Sequence, residues 1–121
     1  MTSVLIVENE WIIAEDLRAR LSRLGCVVSA IVSSGRAAIE HAATTRPDLI
    51  LMDLGLRGDI DGVQAAQSIR ERCNLRVVYL TAHTDDATRA RAEQTQPLGY
   101  LSKPFDEDAL QRVLGRALSP A

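Results

Sequence analysis

Five short apolar runs, separated from one another by helix-like segments, constrain the fold of this chain more than any other feature. Aliphatic and β-branched residues dominate these runs, as is typical of buried strands. They lie at Val4–Val7, Val27–Val32, Leu49–Met52, Val77–Leu80 and, more weakly, Tyr100–Leu101. Parallel strands need crossover connections, which place helices on the faces of a sheet. The alternation therefore predicts a doubly wound α/β fold, a (βα)5 domain with a parallel sheet.

The segments between the runs carry apolar residues at helical spacing. The first places four of them on one face and ends at Gly25, a residue that favours helix termination; the four are Ile13, Leu17, Leu21 and Leu24. A second helix is predicted from about Ser34 to Thr45. The third, fourth and fifth helices are predicted to begin at residues that can cap a helix, namely Asp61, Thr84 and Asp106.

The fourth helix has the weakest apolar face. Beyond Thr84 and two aspartates, it offers only Ala87, Ala90 and Ala92 for packing. Burial of apolar area is the main source of packing energy. We therefore expect this helix to be the most loosely held of the five.

Length and composition limit the class of protein. A chain of 121 residues with 46% hydrophobic and 25% charged residues is typical of one globular domain, which we place at residues 1–121. The net charge of -2, without a dense Lys/Arg run, argues against direct nucleic-acid binding. No apolar stretch approaches the roughly 20 residues of a membrane span, and the N-terminus lacks a secretory pattern, so a cytoplasmic protein is expected. Cys26 and Cys73 lie in apolar stretches and are predicted to be reduced core residues.

Chemically active side chains follow four of the five runs. In an open α/β sheet, ligands bind beyond the carboxyl ends of the strands, where these side chains are expected to meet. They are Glu8, Asn9 and Glu10 after the first run, Asp53 after the third, Thr81 after the fourth and Lys103 after the fifth. Oxygen ligands such as these suit a hard cation such as Mg²⁺. With a metal bound, a carboxylate can attack phosphorus while a lysine and a hydroxyl contact the phosphoryl oxygens.

The chain resembles, over essentially its whole length, the receiver domain of bacterial two-component response regulators. The resemblance is carried by the segments VLIVENE, LILMDLGLRGDIDG, YLTAH and GYLSKPF. It implies a flavodoxin-like sheet in the strand order 2-1-3-4-5. It also implies that Asp53 takes a phosphoryl group from a sensor histidine kinase or a histidine phosphotransfer protein. A receiver of this kind catalyses only its own phosphorylation and dephosphorylation, so no other enzymatic activity is expected.

The resemblance also implies roles for individual residues. The Mg²⁺ ligands would be Glu8, Asn9, Asp53 and the backbone carbonyl of Gly55. Thr81 and Lys103 would contact the phosphoryl group, and the Lys103–Pro104 bond would be cis. Tyr100 matches the aromatic residue that moves with the switch. Phosphorylation would then remodel the surface formed by the fourth helix, the fifth strand and the fifth helix, which is also a candidate homodimer interface.

Two departures from the family pattern leave alternatives open. Asn9 stands where the family usually has a second acid, and Gly62 follows Asp53 by nine residues, one more than is common. Asn9 and Glu10 would also suit the start of a helix as capping residues. The main alternative is a pseudo-receiver, an interaction module that works without phosphorylation. An Asp-dependent phosphohydrolase is disfavoured because Gly55 interrupts the DxD motif. A nucleotide-binding flavodoxin-like protein is disfavoured because the loop after the first run is acidic.

Overall fold

The computed structural model describes residues 1–82 and 85–118. In these ranges five strands and five helices alternate along the chain. The strands are β1 (Ser3–Val7), β2 (Val27–Val32), β3 (Leu49–Asp53), β4 (Val77–Thr81) and β5 (Gly99–Ser102). The helices are α1 (Trp11–Arg23), α2 (Gly35–Thr45), α3 (Gly62–Cys73), α4 (Asp86–Gln94) and α5 (Glu107–Ala117). None of these helices is long and apolar enough to cross a membrane.

The strands form one parallel sheet in the order β2-β1-β3-β4-β5, which confirms the predicted fold and strand order. The register aligns the carboxyl ends of the central strands. Met52 lies opposite Val7, and Leu80 lies opposite Asp53. Side chains that follow β1, β3, β4 and β5 therefore project from the same edge of the sheet.

Alternate residues of each strand face two separate apolar cores. One core lies between the sheet and helices α1 and α5, and it includes Ile6, Leu17, Leu51, Leu80 and Leu110. The other lies under α2, α3 and α4, and it includes Leu5, Ala38, Met52, Ile69 and Tyr79. Both faces of the sheet are covered, which explains why the central strands read as continuous apolar runs. Cys73 is buried, Cys26 is half-buried, and both are free thiols.

Most helix starts lie where the sequence places them. Asp61 caps α3 in a capping box with Gln64, and the Asp106 side chain accepts the Ala109 N–H at the start of α5. At α4 the capping side chain is that of Asp85, which accepts the N–H of Thr88. The predicted cap, Thr84, lies outside the described residues.

Helix α4 has little apolar packing, as expected. Among its residues only Ala92 is buried, while Ala87 and Ala90 are exposed. Its contacts with the rest of the domain are mainly polar. They involve Arg89, Arg91 and the residue that follows the helix, Thr95.

Candidate functional site

A lysine and two carboxylates form a buried cluster at the carboxyl edge of the sheet. Lys103 Nζ lies 2.7 Å from Glu8 Oε2 and 3.4 Å from Asp53 Oδ1. The exposed fractions of the three side chains are 12% for Lys103, 0% for Glu8 and 9% for Asp53. Residues at the carboxyl ends of β1, β3 and β5, up to 95 positions apart, are thus brought together by the sheet.

Strand geometry explains how these three side chains meet. Glu8 and Lys103 directly follow β1 and β5, and Asp53 ends β3. Because side chains alternate along a strand, all three continue the sheet face that packs on α1 and α5. Backbone hydrogen bonds fix the strand ends: Lys103 N–H donates to the Thr81 carbonyl at 2.6 Å, and Glu8 N–H donates to the Val32 carbonyl at 3.0 Å. The Lys103–Pro104 bond is cis.

Burial and mutual charge shift the pKa values of this cluster. Burial raises the pKa of Glu8, and the neighbouring Asp53 adds to that effect, while the hydrogen bond from Lys103 opposes it. Burial alone would lower the pKa of Lys103. Its hydrogen bonds and charge interactions with Glu8 and Asp53 outweigh burial, so the pKa of Lys103 is raised. Lys103 therefore stays charged at neutral pH as the counter-ion of both carboxylates.

Asp53 opens onto a cavity of about 490 Å³. Asn9, Gly55 and Lys103 line this cavity together with Asp53. The Gly55 N–H donates to Asp53 Oδ1 at 3.0 Å and so orients the carboxylate. Gly62 packs directly against the same residue: a Cβ at this position would lie 2.4 Å from the Asp53 carbonyl oxygen. A residue without a side chain is therefore required there.

The remaining predicted residues lie around this cavity or on the opposite face of the sheet. Thr81 is buried at the end of β4. Asn9 is exposed at the cavity wall, and Glu10 precedes α1 without a capping hydrogen bond from its side chain. The capping interpretation of the acidic segment therefore finds no support at Glu10.

Tyr100 does not line the cavity. It lies on the α4 side of the sheet, stacked on Tyr79 with ring centroids 5.8 Å apart. The Arg89 guanidinium lies over the Tyr100 ring, 3.8 Å from the ring centroid. The Tyr100 hydroxyl is buried without a hydrogen-bond partner among the described residues. Thr81 and Tyr79 are two positions apart in β4, so Thr81 shares this face of the sheet with Tyr100.

Sequence reasoning missed one charged pair at the cavity. Arg91 of α4 and Asp61, the cap of α3, both line it, and Arg91 Nη2 lies 3.1 Å from Asp61 Oδ2. Arg57 lines the same cavity from the loop after β3. The sequence identifies Asp61 as a cap, and no periodic pattern relates it to Arg91, which lies 30 positions away.

The oxygen atoms of the cavity wall and of the buried Glu8 carboxylate beside it fit a hard cation. Within residues 1–82 and 85–118, no group of three or more His, Cys, Asp or Glu side chains could hold a metal ion by itself. The candidates here are two carboxylates, Glu8 and Asp53, with the Asn9 amide and the Gly55 carbonyl. Magnesium usually takes one or two carboxylates and keeps several waters, so this mixed set of oxygen donors fits it.

The chain is similar to known signalling proteins. Residues 4–115 match the family model of the response regulator receiver domain. The chain is 39% identical over 118 residues to the KDP operon transcriptional regulatory protein KdpE of Escherichia coli (strain K12), and 33% identical over 116 residues to the transcriptional regulatory protein PdtaR of Mycobacterium tuberculosis. These matches cover 98% and 96% of this chain but 52% and 56% of the relatives. The chain thus spans about half the length of the curated relatives it matches.

Solved structures give the same similarity. The signal receiver domain of a modulated diguanylate cyclase from Desulfovibrio desulfuricans G20 superposes with a TM-score of 0.92 at 37% identity, covering 98% of this chain and 94% of that one. The receiver domain of the sensor histidine kinase PA1611 from Pseudomonas aeruginosa PAO1 superposes with a TM-score of 0.86 at 33% identity, covering 97% of each chain. That protein was solved with a magnesium ion coordinated in its active-site cleft.

Proposed function

Because the chain belongs to the response regulator receiver domain family of two-component signalling, we propose that it is switched by transfer of a phosphoryl group to Asp53. The donor is a phosphohistidine of a sensor histidine kinase or a histidine phosphotransfer protein. The observation that carries the proposal is the buried Glu8–Lys103–Asp53 cluster at the edge of a cavity. A surface aspartate with a purely structural role would not need a buried lysine directed at it.

Each residue of the site has a part in the transfer. A carboxylate oxygen of Asp53 attacks the phosphorus as the bond from phosphorus to the histidine nitrogen breaks, which gives an acyl phosphate. The Gly55 N–H holds the carboxylate in position, and the Lys103 ammonium stabilises charge on the phosphoryl oxygens. The Thr81 hydroxyl donates a hydrogen bond to the transferred group.

A magnesium ion belongs to the same proposal. Glu8, Asn9, Asp53 and the Gly55 carbonyl would hold it, and it would neutralise charge on the phosphoryl oxygens. Glu8 and Asp53 are two carboxylates, whereas Lys103 supplies one positive charge, so a second cation is favoured at the cluster.

The phosphoryl group then changes the α4 side of the sheet. It adds about -1.5 to -2 charges and new acceptor oxygens at Asp53. Movement of Thr81 toward it alters the space next to Tyr100 on the same sheet face. Since α4 buries only Ala92, this helix has the smallest apolar contact to break within the surface of α4, β5 and α5. The same surface is the proposed homodimer interface.

The experiment is phosphorylation by a small-molecule phosphodonor with magnesium, followed by intact mass. The wild-type protein is expected to gain the mass of one phosphoryl group, and chelation of magnesium is expected to abolish the gain. Asp53→Asn, which keeps the side-chain shape, is the matched control and should gain nothing. Modification of Asp53→Asn to the wild-type extent would disprove the assignment of the acceptor.

The competing proposal is a pseudo-receiver that acts by protein contact alone. The neutral, exposed Asn9 favours it, because it removes a negative charge from the metal ligands. This reading predicts no mass gain with the phosphodonor and no spectral response to beryllofluoride with magnesium. Either response in the wild-type protein would reject it.

A further inference from the structure

The Arg91–Asp61 ion pair lines the cavity into which Asp53 opens. Arg91 projects from α4, and Asp61 lies at the start of α3. Arg91 Nη2 is 3.1 Å from Asp61 Oδ2 and 3.4 Å from Oδ1, so one nitrogen contacts both carboxylate oxygens. The pair therefore links the loosely packed helix to the wall of the proposed phosphorylation site.

Asp61 is the fixed partner of this pair. Its Oδ1 accepts the Gln64 N–H at 2.8 Å, and its own N–H donates to Gln64 Oε1 at 2.8 Å. The next residue, Gly62, packs on the Asp53 carbonyl so closely that a Cβ would lie 2.4 Å away. Displacement of Asp61 would therefore disturb both the cap of α3 and the backbone of Asp53.

Arg91 is the mobile partner. Its helix buries only Ala92, and its side chain is 47% exposed, against 36% for Asp61. Ion pairs at such exposure contribute little, because water screens them and ordering a long side chain costs entropy. Arg91 can therefore exchange Asp61 for a stronger anion at small cost.

The phosphoryl group would be that stronger anion. It brings up to two negative charges and three acceptor oxygens into the cavity, whereas Asp61 offers one charge and already uses Oδ1 in its cap. Guanidinium groups bind phosphoryl oxygens through paired, charge-assisted hydrogen bonds, which are about twice as strong as neutral ones. Arg57 is the other arginine of the cavity, but it lies on the loop after β3 and cannot move α4.

We propose that Arg91 is a phosphoryl-binding residue, which leaves Asp61 for the phosphoryl oxygens on Asp53 and thereby draws α4 toward the site. This inference rests on the proposed function. It assigns a role to a residue outside the set implied by the family resemblance, and it gives α4 a direct contact with the phosphoryl group.

The test uses beryllofluoride with magnesium as the phosphoryl mimic and follows backbone amides by NMR. Amides of Asp53 and Gly55 report occupancy of the site, and amides of Ala90 and Ala92 report movement of α4. In Arg91→Gln the half-saturating concentration should rise on the order of tenfold, the size of a charge-assisted hydrogen bond. The site amides should still shift, but the shift of the α4 amides should be lost.

Asp61→Asn separates this proposal from a purely structural role of the pair. Asparagine keeps the cap of α3 but holds Arg91 less firmly. We expect about a two- to threefold fall in the half-saturating concentration, opposite in sign to Arg91→Gln. If the ion pair only stabilises the position of α4, both variants will change the affinity for the phosphoryl mimic in the same direction, and that result would overturn the proposal.

Two further variants complete the design. Arg91→Lys keeps the positive charge but lacks the planar guanidinium with its paired donors, so it should recover part of the affinity for beryllofluoride that Arg91→Gln loses. Arg57→Gln removes the same charge from the same cavity and should leave the α4 shift intact. Loss of the α4 shift in Arg57→Gln would reject the assignment to Arg91. Wild-type site amides that do not respond to the mimic would instead reject the proposed function itself.

Discussion

The buried pair of Tyr79 and Thr95 should anchor the C-terminal end of α4, and its two hydroxyls should differ in how much they stabilise the fold. Tyr79 is fully buried in β4, and its hydroxyl lies 2.8 Å from Thr95 Oγ1. Thr95 donates its single hydroxyl hydrogen to the Ala92 carbonyl at 2.7 Å. Tyr79 must therefore be the donor in the bond between the two side chains. Burial raises the pKa of Tyr79 to about 12, so this donor keeps its proton at neutral pH.

The direction of the bond predicts unequal costs for the two substitutions. In Tyr79→Phe, Thr95 loses a donor but still donates to Ala92, so the loss should be that of one ordinary hydrogen bond, about 1 kcal/mol. In Thr95→Val, the Tyr79 hydroxyl remains buried without an acceptor, and the expected loss is about 2 to 3 kcal/mol. The Ala92 carbonyl still accepts the backbone N–H of residue 95, at 3.0 Å.

Urea unfolding of the two single variants and the double variant measures these costs. The double variant removes donor and acceptor together, so it should lose less stability than the sum of the single losses, by about 1 to 2 kcal/mol. The denaturant slope m should be unchanged, because the exposed surface is the same. A smaller loss for Thr95→Val than for Tyr79→Phe, or additivity within about 0.5 kcal/mol, would refute the assigned direction of the bond.

Three shorter predictions concern the site and the start of α4. Asn9→Asp adds a carboxylate to the proposed metal ligands and should tighten magnesium binding about tenfold in a titration followed by backbone amide signals. An unchanged affinity would show that residue 9 is not a metal ligand. Gly62→Ala should cost at least about 1 to 3 kcal/mol in urea unfolding, because its Cβ would collide with the Asp53 carbonyl, whereas Gly115→Ala, with an open position, should not destabilise. The hydrogen bond from the Thr88 backbone N–H lowers the pKa of the Asp85 capping carboxylate, so the stabilisation of α4 by this cap is present above about pH 4 and is lost as the pH falls below that. Amide exchange in α4 should become faster over this pH range in the wild type but not in Asp85→Asn. Equal pH profiles in the two proteins would contradict this prediction.

The parts of the molecule that could be predicted from sequence are those determined by local pattern. Apolar runs such as Leu49–Met52 mark strands, and their alternation with helices fixes a parallel sheet. In such a sheet every carboxyl end lies at one edge, so Glu8, Asp53 and Lys103 could be placed at that edge once the strands were identified, and the structure shows that the Lys103 side chain reaches both carboxylates. The last residues of the strands were harder to predict from the sequence, because Asp53 and Thr81 belong both to a strand and to the candidate site.

The parts that could not be predicted depend on how α4 lies against the sheet. The bond between Tyr79 and Thr95 and the ion pair of Arg91 with Asp61 join residues 16 and 30 positions apart. From the sequence alone, a tyrosine in a buried strand is interpreted as a core residue, and an arginine on a weakly apolar helix is interpreted as a solvated charge. The pairing becomes visible only when the position of the helix is known, because no periodicity specifies a helix whose apolar face is a single alanine.

The two departures from the family pattern differ in their consequences for the site. The longer loop after β3 packs on α2: Ile60 fills the space beside Gly35, where a Cβ would come within 2.7 Å of its side chain, and Asp59 pairs with Arg36. The loop nevertheless returns to its close contact between Gly62 and the Asp53 carbonyl. The added length is thus absorbed away from the acceptor. Asn9, in contrast, stands at the cavity wall itself, so we expect it to be the departure that affects how firmly the proposed site holds magnesium.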